Sequence, residues 1–228
     1  MLHPARYIQT NVLGTLNILD LCRNLHIPKL VAASSSSVYG ASDAIPFCED
    51  LGIAQSLSPY AASKAAGEAL CHSYHHLYKL DVSVLRLFTV YGPAGRPDMS
   101  MFRFVRGVIE GHPITVYGDG SQRRDFSYVD DIASGVISAL QPSGFRVYNL
   151  GADHPVKLLE VIQLIESTSG KPAVMRYEPA DPSDVPATWA DVTRAGRELG
   201  WIAKVPLEKG ICNTIQWYLQ NRDWAATL

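Results

Sequence analysis

The sequence predicts an α/β fold with parallel strands. Three observations carry this. Two short runs, Lys29–Ala33 and Asp81–Phe88, read as buried strands, the first of them without polar alternation. That is the pattern of parallel strands buried on both faces. Each run follows a segment with helical spacing of its apolar residues. Helix, strand, helix, strand is the order in which crossover helices bring parallel strands together.

Residues 4–25 read as a helix, since Ile8, Val12, Leu16 and Leu19 recur at steps of three and four. The strand at 29–33 follows, then four serines, Ser34–Ser37, and Val38-Tyr39-Gly40. Residues 41–58 read as a loop containing Pro46 and Gly52. Ser58 is placed to cap a long helix and Pro59 to occupy its first position. This helix, over 59–78, precedes the strand at 81–88. Beyond Tyr91-Gly-Pro-Ala-Gly-Arg-Pro97 the texture changes. A helix at 100–110, a strand at 114–117, a loop at 118–125, a helix at 130–140 and a strand at 146–150 are expected. A helix at 157–168 and a strand at 174–178 follow. Residues 181–191 read as irregular, with Pro182 and Pro186, and helices near 193–199 and 207–220 close the chain. The change of texture divides the chain into 1–97 and 98–228, with some later segments returning to the first sheet.

The bulk numbers exclude several classes. With 47% hydrophobic residues, 228 residues can fill one domain, or one domain and a small lobe. Twenty basic and 22 acidic residues leave a net charge of −2, and no basic run suggests nucleic acid. Charges interrupt every apolar stretch, so no membrane-spanning helix is expected. No apolar core of a signal peptide follows Met1. Cys22, Cys48, Cys71 and Cys212 are scattered, without metal-ligand spacing. They read as reduced thiols of a cytoplasmic protein, and no metal is expected.

Tyr60 and Lys64 lie four apart and share a helix face. A cation beside a phenol favours the phenolate, which makes Tyr60 a candidate general acid/base. The spacing alone is weak, because a surface Tyr and Lys on an amphipathic helix produce it too. The serine run adds context. It ends a parallel strand, and α/β proteins bind ligands at the carboxyl ends of such strands. A flexible linker is the alternative, but Leu-Val-Ala-Ala and Val-Tyr-Gly flank the serines. A dinucleotide-binding domain opens with a strand, a glycine-rich turn and a helix. No such turn occurs: Gly118-x-Gly120 has no third glycine and opens no helix.

Ser34-Ser-Ser-Ser-Val-Tyr-Gly40, Ser58-Pro-Tyr60-x-x-x-Lys64, Leu85-Arg-Leu-Phe-Thr-Val-Tyr-Gly-Pro93, Arg124-Asp-Phe-Ser-Tyr-Val-Asp-Asp-Ile132 and Tyr148-Asn-Leu-Gly151 occur in this order. Together they resemble the extended short-chain dehydrogenase/reductases, specifically the nucleotide-sugar epimerases and dehydratases, over about Tyr7 to Tyr218. The resemblance implies a partial Rossmann-like, doubly wound parallel sheet with its first strands missing, and a small α/β substrate-binding C-terminal lobe. It implies NAD as cofactor and places about three βαβ units of some 30 residues before residue 1. The strand at 29–33 would then present an open edge.

The resemblance also assigns roles. Tyr60 would take the proton of the sugar 4-hydroxyl. Lys64 would lower the Tyr60 pKa and bind the nicotinamide ribose. Ser35, with Ser36 and Ser37, would hydrogen-bond the 4-oxygen. Dehydratases carry an Asp-Glu pair where Ser36 and Ser37 stand, and the related decarboxylases carry a Glu at Ser37. That leaves 4-epimerisation. Thr89-Val-Tyr-Gly-Pro-Ala-Gly-Arg-Pro-Asp-Met99 is similar to the branch acting on UDP-glucuronate, as is the stretch Asp184–Asp191. Arg96 would face the sugar carboxylate, which a guanidinium matches bidentately, with Thr89 beside it; the alternative is a surface loop arginine. Tyr117 would stack on uracil, Arg124 would meet a phosphate and Asp184 would bind the uridine ribose. Arg123-Arg124 could otherwise be a solvated pair. Asp181 stands where some epimerases place a phosphate-binding Arg. UDP-glucose and UDP-N-acetyl sugars are the alternative substrates. A fragment that binds UDP-sugar weakly, or only dimerises, is the alternative function. The family pairs through two helices, here 4–25 and 59–78, so a homodimer is expected. His72, His75 and His76 lie on the second of these and read as interface or surface residues.

One expectation follows directly. The 228-residue chain with added NAD should not turn over UDP-glucuronate; formation of UDP-galacturonate in that assay would refute it.

Overall fold

The computed structural model describes residues 3–42, 44–53, 55–180 and 184–228. Among them run eight strands: β1 (Lys29–Ser35), β2 (Asp81–Leu87), β3 (Thr89–Tyr91), β4 (Ile114–Tyr117), β5 (Arg123–Tyr128), β6 (Phe145–Leu150), β7 (Pro155–Lys157) and β8 (Met175–Glu178). A parallel sheet has the order β1-β2-β6. Successive side chains of a strand point to opposite faces. Val82 and Val84 of β2 therefore pack with Leu19, Cys22 and Cys71 of the two N-terminal helices. Leu85 and Leu87 pack on the other face with Ile132 and Trp201. One strand thus serves two cores, and the sheet is doubly wound as expected.

A third core fills the C-terminal lobe. The helices Ser100–Glu110, Leu158–Ser169 and Leu207–Gln220 meet there around Phe102, Phe104, Ile162, Ile211 and Tyr218. Two smaller sheets, β3-β5-β7 and β4-β8, border it. β6 returns from this half of the chain to pair with β2.

Several expectations need correction. β1 is not buried on both faces: Lys29–Ala32 are half-buried and Ala33 is exposed. β1 is an edge strand, with β2 on one side and no strand on the other among the described residues. The segment 118–125 is not all loop, because β5 begins at Arg123. Its two arginines disguise it, and Asp125 is buried by backbone amides instead of apolar neighbours. β3 and β7 also went unforeseen; three-residue strands carry too little pattern to register.

The first helix is continuous but changes pitch, through Pro4–Tyr7, a π-helical Ile8–Leu13 and Gly14–Asn24. Thr15 donates its hydroxyl to the Asn11 carbonyl at 2.7 Å. The second helix, Pro59–Tyr78, passes close by. A Cβ on Gly67 would stand 3.3 Å from that same carbonyl, a tight approach that glycine relieves. Asn11 Nδ2 then reaches Ser63 Oγ at 2.9 Å, one residue before Lys64. No helix among the described residues is long and apolar enough to cross a membrane.

The second helix is fixed to the sheet by charge. Glu68 accepts two bonds from Arg86 of β2, at 3.1 and 2.8 Å, with both side chains about 95% buried. Ser34 donates to the same carboxylate. The Arg86 guanidinium also covers the Tyr39 ring at 4.7 Å, and Tyr39 donates to Asn149 of β6 at 2.7 Å. Three strands, the helix and the turn after β1 share this network. Removing one partner of a buried pair strands the other charge. Glu68→Ala should therefore lower unfolding free energy by about 3–5 kcal/mol in urea denaturation; a loss under about 1 kcal/mol would show that the pair does not carry the helix.

Candidate active site

The second helix starts as its sequence demands. The Ser58 hydroxyl accepts the Ala61 amide at 3.1 Å, and Pro59 follows. Tyr60, Lys64 and Glu68 fall at steps of four on one face. Glu68 is locked to Arg86, so Lys64 and Tyr60 are carried to the carboxyl end of β1. Lys64 Nζ donates to the Ala33 carbonyl at 3.0 Å and lies 6.0 Å from the Tyr60 ring centroid. Burial pushes the Lys64 pKa down. The Tyr60 ring meets Tyr7 edge-on, with centroids 5.5 Å apart. Lys64, Asn11, Thr15, Ala33 and Ser34 line a small cleft beside β1.

β1 runs into a 3-10 turn, Ser36–Tyr39. Ser35 caps this turn: its hydroxyl accepts the Ser37 amide at 3.2 Å and donates to Ser37 Oγ at 3.1 Å. Ser36 and Ser37 line a cavity of about 170 Å³ together with Thr89, Arg124 and Asp184. The three serines therefore divide the work. Ser36 and Ser37 face the cavity, and Ser35 shapes the turn that presents them.

A second cavity, about 230 Å³, has Tyr117, Thr89, Arg124 and Asp184 in its wall. Thr89, Arg124 and Asp184 belong to both cavities. Arg124 pairs with Asp184 and also donates to the Arg123 carbonyl at 2.7 Å. Gln122 holds the Tyr117 carbonyl at 2.6 Å. Arg103 is a wall residue that sequence reasoning missed. Its signal was one of three charges in the helix Ser100–Glu110, whose other residues are mostly apolar. Asp181 lies outside the described residues.

Arg96 stands apart from both cavities. It is mostly exposed and forms two hydrogen bonds to Asp98. This pair raises the Arg96 pKa and lowers that of Asp98, and Arg96 also feels the Tyr60 and Tyr7 phenols.

Comparison with known proteins places the chain in a family. Residues 1–151 match the model of the NAD dependent epimerase/dehydratase family. The chain is 46% identical over 220 residues to a UDP-glucuronate 4-epimerase of Thermodesulfobacterium geofontis (strain OPF15), covering 96% of this chain and 68% of that one. Its fold is similar to MoeE5 in complex with UDP-glucose and NAD, with a TM-score of 0.90, 35% identity, and 94% of this chain and 73% of that chain covered. It is also similar to a UDP-glucuronic acid 4-epimerase from Bacillus cereus in complex with UDP-glucuronic acid and NAD. There the TM-score is 0.89, the identity 35%, and the coverage 94% and 68%.

One more residue underpins the cavities. Asp125, fully buried beside Arg124, accepts the amides of Ala152, Asp153 and Ala190 at 2.6, 3.1 and 3.0 Å. Burial pushes its pKa up to about 6, against three amides that favour the ionised form. Gly151 completes the joint: a Cβ there would meet the Ala190 Cβ at 2.3 Å. Together they clamp the segment 184–190, including Asp184, against β5 and β6. Asp125→Asn would set its NH₂ against an amide N–H. It should cost about 1–3 kcal/mol of stability; an unchanged thermal melt would refute the clamp.

Proposed function

The chain belongs to the NAD dependent epimerase/dehydratase family, and we propose that it carries the acid/base and substrate-binding residues of an NAD-dependent UDP-sugar 4-epimerase acting on UDP-glucuronate. One observation carries the reading. Thr89, Arg124 and Asp184 join a serine-lined cavity to one walled by Tyr117. This suits a ligand with a hydroxylated ring at one end, a diphosphate in the middle and a base at the other.

In this reading Tyr60 accepts the proton of the sugar 4-hydroxyl and returns it after the sugar has turned over. Lys64 keeps a cation beside the phenol. Ser36 and Ser37 hydrogen-bond the 4-oxygen as charge develops on it, and Ser35 holds their turn. NAD, when bound, would supply the reversible hydride chemistry that epimerisation at C4 requires. The lysine-lined cleft beside β1 offers Lys64, Asn11 and Thr15 as polar partners for a nicotinamide ribose. No glycine-rich phosphate turn occurs among the 228 residues. Arg124 serves the diphosphate, Tyr117 the uracil and Asp184 the ribose. Arg96 serves the uronate carboxylate, which distinguishes this substrate from UDP-glucose. Exposed Leu13, Leu21, Leu77 and Tyr78 on the two N-terminal helices support pairing of two copies through these helices.

Calorimetric titration of the 228-residue chain tests the substrate part. Arg124→Ala should weaken UDP and UDP-glucuronate alike by about tenfold, roughly 1.4 kcal/mol. Arg96→Ala should weaken UDP-glucuronate and spare UDP. Failure of UDP to bind the unaltered chain would sink the reading.

A further inference from the structure

Arg96 already holds a carboxylate. Its Nε donates to Asp98 Oδ1 at 3.0 Å and its Nη2 to Oδ2 at 2.5 Å. This is the two-bond fork that a guanidinium makes with any planar carboxylate, including a sugar's. A turn closed by the Met99 amide on the Arg96 carbonyl, at 3.1 Å, sets Asp98 under its partner. We propose that Asp98 is an internal stand-in for the substrate carboxylate. It occupies the fork of Arg96 until a uronate displaces it, and so sets the selectivity between acidic and neutral UDP-sugars. The inference rests on the UDP-glucuronate reading above.

Three features support an exchangeable pair. Both side chains are largely in water, 70% and 66% exposed. Such pairs are weak, and one carboxylate replaces another with little loss. The turn they share also reaches a cavity wall, since Met99, whose amide bonds the Arg96 carbonyl, lines the Tyr117 cavity. Finally, a released Asp98 has a second cation to meet. Arg103, five residues on in the helix Ser100–Glu110, lies within charge range of its carboxylate and lines the Tyr117 cavity. A uronate thus exchanges one ion pair for an equivalent one. A neutral sugar has nothing with which to open the Arg96–Asp98 pair and binds with it closed.

The selectivity effect can be read by titration. UDP, UDP-glucose and UDP-glucuronate would each be titrated into the 228-residue chain and into Asp98→Asn. The affinity for UDP-glucuronate relative to UDP-glucose should rise about three- to fivefold in Asp98→Asn, the scale of one exposed ion pair. UDP affinity should be unchanged, which also reports that the variant is folded. In the Arg96→Ala background, adding Asp98→Asn should bring no gain. The same gain in that background would mean plain charge repulsion and would overturn the stand-in. So would no gain, or a loss, in Asp98→Asn alone. Lack of UDP binding by the unaltered chain would instead refute the function on which the inference rests.

Discussion

Glu68 and Arg86 are withdrawn from water together, and much of the candidate site depends on that pairing. Neither charge is tolerable alone in the interior. The pair therefore fixes how far the second helix slides along β2 and how it is rotated. Lys64 and Tyr60 are one and two turns away on the same face and inherit that placement. Ser34 and Tyr39 join the same network, so the serine turn is referenced to the helix that faces it. Apolar packing at the same positions would leave no unpaired charge to penalise a shifted helix.

A second constraint closes the other half of the site. Asp125 has no apolar reason to be buried. It is held by three amides from two separate segments. Those amides belong to the end of β6 and to the segment that carries Asp184. The clamp brings Asp184 to Arg124, and the two cavities meet at that pair. Gly151 is required because the segments approach more closely than a side chain allows.

Buried and exposed ion pairs play opposite parts here. The buried Glu68–Arg86 pair is costly to break and acts as scaffold. Arg96–Asp98 stands in water, where screening leaves it weak enough to exchange partners. Arg124–Asp184 lies between, with the arginine mostly covered and the aspartate partly open at the cavity wall. Burial sorts these three pairs into fixed and exchangeable ones, although their chemical groups are the same.

The sequence by itself determined what depends on local periodicity. Two of the three strands of the first sheet, the Ser58 cap and the four-residue step from Tyr60 to Lys64 follow from local sequence pattern. Ordered motifs were enough to mark the serine run and residues 89, 117, 124 and 184, and the structure gathers several of these around two cavities. Tertiary structure alone decided the partners. Nothing in the local pattern pairs Glu68 with Arg86, or Asp125 with the amides of residues 152, 153 and 190. The π-helical pitch of the first helix, the strand hidden behind Arg123 and Arg124, and the division of labour among Ser35, Ser36 and Ser37 were likewise not legible. Each depends on which distant segment arrives to satisfy a polar group and on how much water is excluded there. Chain path sets both, and neither is written in the spacing of neighbouring residues.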